Sequence, residues 1–271
     1  MSRIGIELLS VFGMPPVEYV ELAAALGCGH VSTGLTNMPW NPENYQPWSL
    51  REDVDLRQRF KAAMREHQVV IGLGEGFLVR PGQDMRDKLA DLDLMAELGA
   101  LRVSGISMDP DIARTRDQFA LLAQYAHERG MRASIEFAPP HPVGDLAAAL
   151  AVVRHVDQPY FQVLVDAMHF HRSGGKAEDL LALDPGLIGY VQLCDVPLRP
   201  PHADYMQEAM FERKVPGRGE LPLAQFVAAL PDDVLIGLEV PMLAEAEAGI
   251  KPYERLKPAV DAARSLLRRQ A

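Results

Sequence analysis

Four short apolar runs in the second half of the chain each end in a side chain whose oxygen can ligate a metal ion. They are Ala133-Ser134-Ile135-Glu136, Val163-Leu164-Val165-Asp166, Gly189-Tyr190-Val191-Gln192 and Leu235-Ile236-Gly237-Leu238-Glu239. The terminal residues are spaced by 30, 26 and 47 positions. One strand-plus-helix unit takes about 30 residues, so this spacing describes successive parallel strands aiming polar groups the same way. Parallel strands buried on both faces normally read as unbroken Val, Ile and Leu. Carboxylates at their carboxyl ends mark the face where barrel enzymes keep their chemistry. The chemistry such a set supports is metal-assisted.

Each member also has a plainer explanation. Glu136 could cap a helix or pair with a cation, and the Pro139-Pro140 pair behind it turns the chain unaided. Asp166 opens Val165-Asp166-Ala167-Met168-His169-Phe170-His171. It could form an Asx-turn beside surface histidines, or point with His169 into a barrel mouth; His171 reads as surface. Gln192, between Val191 and Leu193, must find polar partners if buried. It shares a strand face with Cys194, while Leu193 and Asp195 take the other. Glu239 repeats the pattern of Glu136, an acid followed by one apolar residue and a proline. Three buried carboxylates together would repel strongly without a cation, so the set is more telling than any member.

Eight apolar runs alternating with helical patterns must position these side chains. The first is Arg3 to Leu8, then a proline-started helix from Pro16 to Leu26. A weak second strand at His30 to Thr33 leads to a Trp/Asn/Pro-rich loop, Asn37 to Trp48, and a helix from Arg51 to His67. The third strand is Val69 to Leu73, followed by a helix from Met85 to Leu98 that Gly99 ends. The fourth is Leu101 to Ser104, with a helix from Asp111 to Arg129. The four opening runs then alternate with helices near Val143 to Val156, Lys176 to Leu183 and Leu223 to Ala229. A last helix spans Pro252 to Arg269. This order predicts an α/β fold, a single closed (β/α)8 barrel over residues 1–271. A doubly wound open sheet would need a Gly-rich fingerprint after the first strand, and none is present.

Bulk composition agrees. The 271 residues are 48% hydrophobic and 24% charged, as in a protein with a large core. The formal charge is −10 and the cations are scattered, which argues against nucleic acid as a partner. Arg264, Arg268 and Arg269 read as an exposed helical face. Cys28 and Cys194 supply neither a disulfide framework nor zinc spacing, and Cys194 reads as a buried, inert thiol. No run approaches membrane-spanning length and no signal segment opens the sequence, so a cytoplasmic location is expected.

The motifs Ile-Glu-Phe at 135–137, Val-Asp-Ala-Met-His at 165–169, Tyr-Val-Gln-Leu-Cys-Asp at 190–195, Pro-Gly-Arg-Gly-Glu-Leu at 216–221 and Leu-Glu-Val-Pro at 238–241 resemble the xylose isomerase-like TIM-barrel superfamily. That group of sugar isomerases and epimerases includes ketose 3-epimerases, inosose dehydratase and 3-dehydroshikimate dehydratase, and is related to endonuclease IV. The resemblance implies one divalent metal held by Glu136, Asp166, Gln192 and Glu239, with glutamine where the family has histidine. An all-oxygen set favours Mg²⁺ or Mn²⁺ over Zn²⁺. The resemblance also places His169 beside substrate oxygens and makes Arg218, in the loop after the seventh strand, a substrate contact; its alternative is a solvated arginine in a Gly-rich turn. Glu75 and Glu7 end earlier strands and could line the same mouth. Trp40 and Trp48 could wall the pocket, and His202 and Tyr205 are weaker candidates.

On this reading Glu136 and Glu239 are the catalytic proton movers. They act on a keto-sugar or related polyhydroxy ketone through a metal-stabilised enediolate, giving epimerisation or isomerisation. Loss of a β-hydroxyl from an inosose-like or dehydroshikimate-like substrate would make the enzyme a dehydratase. A non-catalytic sugar-binding barrel and an endonuclease IV-like nuclease are the remaining alternatives, the latter disfavoured by the charge and the scattered histidines. The expected partners are a small carbohydrate-like molecule and further copies of the chain in a homodimer or homotetramer, with neither nucleic acid nor membrane.

Overall fold

The computed structural model describes residues 2–268. Eight parallel strands close into a barrel in sequence order: β1 Ile4–Ile6, β2 His30–Thr33, β3 Val70–Gly74, β4 Arg102–Ile106, β5 Arg132–Glu136, β6 Phe161–Asp166, β7 Ile188–Leu193 and β8 Ile236–Leu238. Closure is made by β1 on β8, with Ile4, Gly5 and Ile6 opposite Ile236, Gly237 and Leu238.

Around this barrel run α1 Pro16–Ala25, α2 Val54–His67, α3 Leu89–Leu98, α4 Ile112–Glu128, α5 Leu146–Val156, α6 Ala167–Arg172, α7 Ala177–Leu181, α8 Tyr205–Phe211, α9 Leu223–Ala228, α10 Leu243–Glu247 and α11 Pro252–Arg268. Aspartates start many of them. Asp53, Asp111, Asp145, Asp166 and Asp204 each accept a hydrogen bond from a backbone N–H in the first turn of α2, α4, α5, α6 and α8. Gly99 ends α3 at φ +82°, where a side chain would be strained. Among the described residues no helix is long and apolar enough to cross a membrane.

Several boundaries differ from expectation, for local reasons. Leu8 belongs to a 3-10 turn, Leu8–Val11, rather than to β1. Residues 51–53 precede α2 because the Asp53 cap starts the helix at Val54. The Met85–Leu98 helix opens with a 3-10 turn before α3. The helix expected from Val143 begins at Leu146 because Asp145 is its cap. Short α6, α8 and α10, too brief to show a helical period, sit in segments read as loops. Arg264 is half-buried and donates to the Leu26 and Gly27 carbonyls, which ties α11 to the end of α1. The expected helix end at Arg269 lies outside the described residues.

Inside the barrel, side chains stack in layers because every second strand residue faces inward. Below Glu75, Asp166 and Gln192 lie Leu73, Leu164 and Tyr190, a small apolar cluster of their own. Below Glu7 and Glu239 lie Gly5 and Gly237. A Cβ at Gly237 would sit 1.6 Å from Glu7 Oε1, and one at Gly5 would sit 2.2 Å from His30 Nδ1. These glycines give up volume so that polar groups can occupy the barrel axis.

Candidate active site at the carboxyl end of the barrel

Six strands deliver a polar residue to one end. Glu136 and Asp166 are the last residues of β5 and β6. Gln192 is the fifth residue of β7, directly opposite Asp166 and Gly237 in the ladders. Glu7, Glu75 and Glu239 immediately follow β1, β3 and β8. Glu75, Glu136, Gln192 and Glu239 line one cavity of about 100 Å³, floored by Leu73 and walled by Ser104, Gly105 and Ile106.

A seventh group comes from the loop after β7. Asp195 and Lys214 exchange backbone hydrogen bonds of 2.9 and 2.8 Å as a short antiparallel bridge. Residues 212–215 therefore alternate faces, with Arg213 and Val215 buried and Lys214 exposed. Arg213 turns inward. Its Nη1 lies 2.5 Å from Asp166 Oδ2 and 2.9 Å from Glu239 Oε2, and its Nε donates to Ala209 O at 2.7 Å. The buried pair of Arg172 with Glu208, 2.7 Å, fastens α8 to α6, and Arg172 also holds the Pro197 and Leu198 carbonyls. Asp195 accepts from the N–H groups of Gly217 and Leu221, which shapes the Pro-Gly-Arg-Gly turn. A Cβ at Gly219 would meet Asp195 Oδ1 at 2.3 Å, so the turn needs glycine there.

His169, in the first turn of α6, bridges a carboxyl group and a phenol. Its Nε2 is 3.5 Å from Glu136 Oε1 and its Nδ1 is 2.6 Å from the Tyr205 hydroxyl. Asp166 fixes the start of that helix by accepting from His169 N at 2.8 Å. Gln192 Nε2 donates to Glu7 Oε2 and Glu239 Oε1, both at 3.2 Å, and Tyr190 Oη donates to Glu7 Oε1 at 2.6 Å.

The charges are shared unequally. Burial, then the neighbouring Asp166 charge, raises Glu136 to about 8. Burial, then Glu75, raises Glu7 to about 8, and burial also raises Glu75. Glu239 is pushed well above the carboxylate range by burial despite Arg213. Burial acts upward on Asp166 too, but Arg213 and then His169 outweigh it and hold Asp166 below its usual value. Burial lowers His169 to about 4, so the ring is neutral near pH 7. Burial also raises Tyr205, which stays a phenol, and Cys194, which stays a buried inert thiol as expected. Arg213 pairs with two of these five carboxyl groups, Asp166 and Glu239.

Among the described residues no group of three or more His, Cys, Asp and Glu side chains is arranged to hold a metal ion. A cation here needs a further donor, and the structure contains one. Gln192 is 3% exposed and its Oε1 has no hydrogen-bond partner, while Glu239 beside it shares the Arg213 guanidinium with Asp166. An orphaned buried carbonyl among carboxyls suits a hard divalent ion such as Mg²⁺ or Mn²⁺. The donor set fits such a group.

The structure brings together Glu136, Asp166, Gln192, Glu239, His169 and Glu75. Trp40 stands apart on the mouth loop, 37% exposed, its ring packed edge-on against Phe211 at 5.2 Å. Trp48 is core, its indole N–H donating to Gly13 O. Arg218 is exposed on its turn, and His202 pairs on the surface with Glu212 at 2.5 Å. His171 is half-buried against Phe170 and Phe226 rather than on the surface. The sequence reading passed over Arg213. Its signal was the alternation Glu212-Arg213-Lys214-Val215, a short strand-like run ahead of the glycine turn.

A model of the xylose isomerase-like TIM barrel matches residues 19–267. The chain belongs to the xylose isomerase-like TIM-barrel family. Among curated proteins, 3-dehydroshikimate dehydratase of Pseudomonas aeruginosa is 30% identical over 195 residues, 69% of this chain. The aligned part is 30% of that protein's length, so this family member spans about a third of its relative. Among solved structures, the IolI protein with a bound zinc atom superimposes with a TM-score of 0.81 at 16% identity, over 99% of both chains. D-psicose 3-epimerase in the presence of D-fructose gives 0.73 at 15%, over 97% of this chain and 99% of the other. These two likenesses show the shared fold.

Proposed function

We propose that the chain is a divalent-metal-dependent enzyme that removes the proton beside a carbonyl of a small polyhydroxylated substrate, and that the outcome is loss of water. The observation that carries this reading is the unequal holding of the two glutamates. Glu239 is clamped by Arg213 at 2.9 Å and by the Gln192 amide at 3.2 Å. Among the described residues, Glu136 has His169 at 3.5 Å as its ion-pair partner and no guanidinium within pairing distance, and it is raised to about 8. A two-base epimerase needs two carboxyl groups free to move protons from opposite faces. This site offers one carboxyl group with a neutral histidine beside it, Glu136, and one clamped carboxyl group, Glu239. The 30% identical relative named as a dehydratase supports the same choice.

Glu136, Asp166, Gln192 through its carbonyl, and Glu239 would hold the ion, with glutamine in the place the family gives to histidine. A divalent ion there supplies Lewis-acid stabilisation of negative charge developing on a substrate oxygen. Glu136, as carboxylate, takes the proton from the carbon next to the carbonyl. The C–H electron pair forms the new C=C bond as the β C–O bond breaks. Glu136, with His169 on the same side, returns that proton to the departing hydroxyl, which leaves as water. One base thus serves both transfers. Tyr205 fixes the His169 ring, and Arg213 holds Asp166 and Glu239 in place.

The test is product analysis after incubating Mn²⁺-loaded protein with ketoses, inososes and 3-dehydroshikimate. A new ultraviolet-absorbing conjugated product with loss of 18 mass units supports dehydration. An isomeric product of unchanged mass supports the epimerase or isomerase alternative and overturns this reading.

A further inference from the structure

The amide of Gln192 can sit in two orientations that exchange its nitrogen and oxygen, and only one offers a carbonyl to a cation. The surroundings decide which. Its Nε2 position lies 3.2 Å from Glu7 Oε2 and 3.2 Å from Glu239 Oε1, and a divalent cation beside them would keep both as carboxylates, which only accept. Turned over, the amide oxygen would face two carboxyl oxygens. As placed, the two N–H groups are used and Oε1 is left without a partner in a fully enclosed position.

Glu239 belongs to the site itself, whereas Glu7 is fully buried and lies off the cavity wall. Its own orientation is fixed from below by Tyr190 Oη at 2.6 Å, and Tyr190 in turn touches His30 Nδ1 at 3.3 Å. Gly237 is the gap that admits it, since a Cβ there would collide with both Glu7 Oε1 and Tyr190 Oη, at 1.6 and 2.7 Å. Gly237 is also the ladder partner of Gln192. The glycine, the glutamate and the tyrosine thus form one device behind the amide.

We infer that Glu7, braced by Tyr190 and admitted by Gly237, is a positioning residue that fixes the Gln192 amide with its carbonyl toward the cation site. The inference rests on the reading of Gln192 as a ligand, and the test separates the two. Groups that orient a ligand from behind typically change metal affinity 10- to 100-fold when removed.

Mn²⁺ binding to metal-free full-length chain is measured by calorimetry, with thermal melting as a check on folding. Gln192→Ala and Glu7→Met are each expected to weaken Mn²⁺ by at least about tenfold. Gln192→Glu, which removes the amide donor and sets two carboxyls against each other, is expected to weaken it as well. Adding Glu7→Gln to Gln192→Glu restores a donor–acceptor pair with the roles exchanged, and is expected to recover most of the affinity. A purely structural role for Glu7 would give no such recovery. Parental Mn²⁺ affinity in Glu7→Met, or no recovery in the exchanged pair, while Gln192→Ala binds weakly, overturns the positioning role and leaves the ligand reading standing. Parental affinity in Gln192→Ala overturns the ligand reading and this inference with it. If Glu7→Met fails to fold, the exchanged pair decides.

Discussion

Arg213 donates to Asp166 across 2.5 Å, from a loop residue 47 positions beyond the strand that ends in that aspartate. The same Nη1 reaches Glu239 at 2.9 Å, so one guanidinium spans the ends of β6 and β8. All three side chains are nearly or fully buried. Removing one member of a buried pair leaves an uncompensated charge, at a cost of about 3–5 kcal/mol. Arg213→Met is therefore expected to lower the melting temperature of metal-free protein by roughly 10 °C. Saturating Mn²⁺ should narrow that gap, because the freed carboxylates gain another cation. Differential scanning calorimetry with and without Mn²⁺ checks both parts; equal melting of variant and parent contradicts the assignment.

The two arginines of this loop make a contrast. Arg218 is exposed on a turn built by Asp195, while Arg213 is enclosed by acids. Arg218→Ala is expected to leave kcat/KM within about a factor of three, as for surface substitutions within about 0.5 kcal/mol of neutral. Arg213→Met is expected to lower it by two or more orders of magnitude. Steady-state kinetics on the same substrate distinguishes them, and a large loss in Arg218→Ala would restore that residue as a substrate contact.

Much of this arrangement is legible in the sequence. Glu136, Asp166, Gln192 and Glu239 stand at the carboxyl ends of apolar runs, and a parallel barrel gathers those ends at one mouth. His169 is legible through the Val-Asp-Ala-Met-His motif, whose resemblance places it three residues after Asp166 beside the substrate, although the helix that carries it, α6, is too short to show in the sequence. What the sequence withholds is set by contacts between distant segments. Nothing local to Arg213 says which carboxylates it meets, since that depends on the Asp195–Lys214 bridge and the Arg172–Glu208 clamp. The Glu7–Tyr190–Gln192 chain is hidden for the same reason, because its members come from opposite sides of a closed barrel. Trp40 is placed in the same way, by a contact between distant segments: its ring packs edge-on against Phe211 at the end of α8.

His30 gives an acid-stability prediction. Burial, chiefly, lowers it from 6.5 to about 4, and its Nε2 contacts Arg3 O at 3.1 Å. The folded state holds it neutral, while the unfolded chain takes up a proton below pH 6.5. Its contribution to stability is complete above pH 6.5 and is lost as the pH falls toward 4, by about 3 kcal/mol in all. Urea unfolding between pH 4 and 7 is expected to show a shallower pH slope in His30→Gln than in the parent. Identical slopes would show that His30 titrates alike in both states.

Glu136 is the residue on which the proposed chemistry turns, because it alone combines a raised carboxyl with a neutral histidine 3.5 Å away. The most direct measurement follows release of deuterium to water from substrate labelled at the carbon beside the carbonyl, with Mn²⁺-loaded parent, Glu136→Gln and Glu239→Gln, alongside product formation. The one-base account predicts no detectable release or turnover in Glu136→Gln, and slowed but measurable release in Glu239→Gln. Release at the parental rate in Glu136→Gln would contradict it.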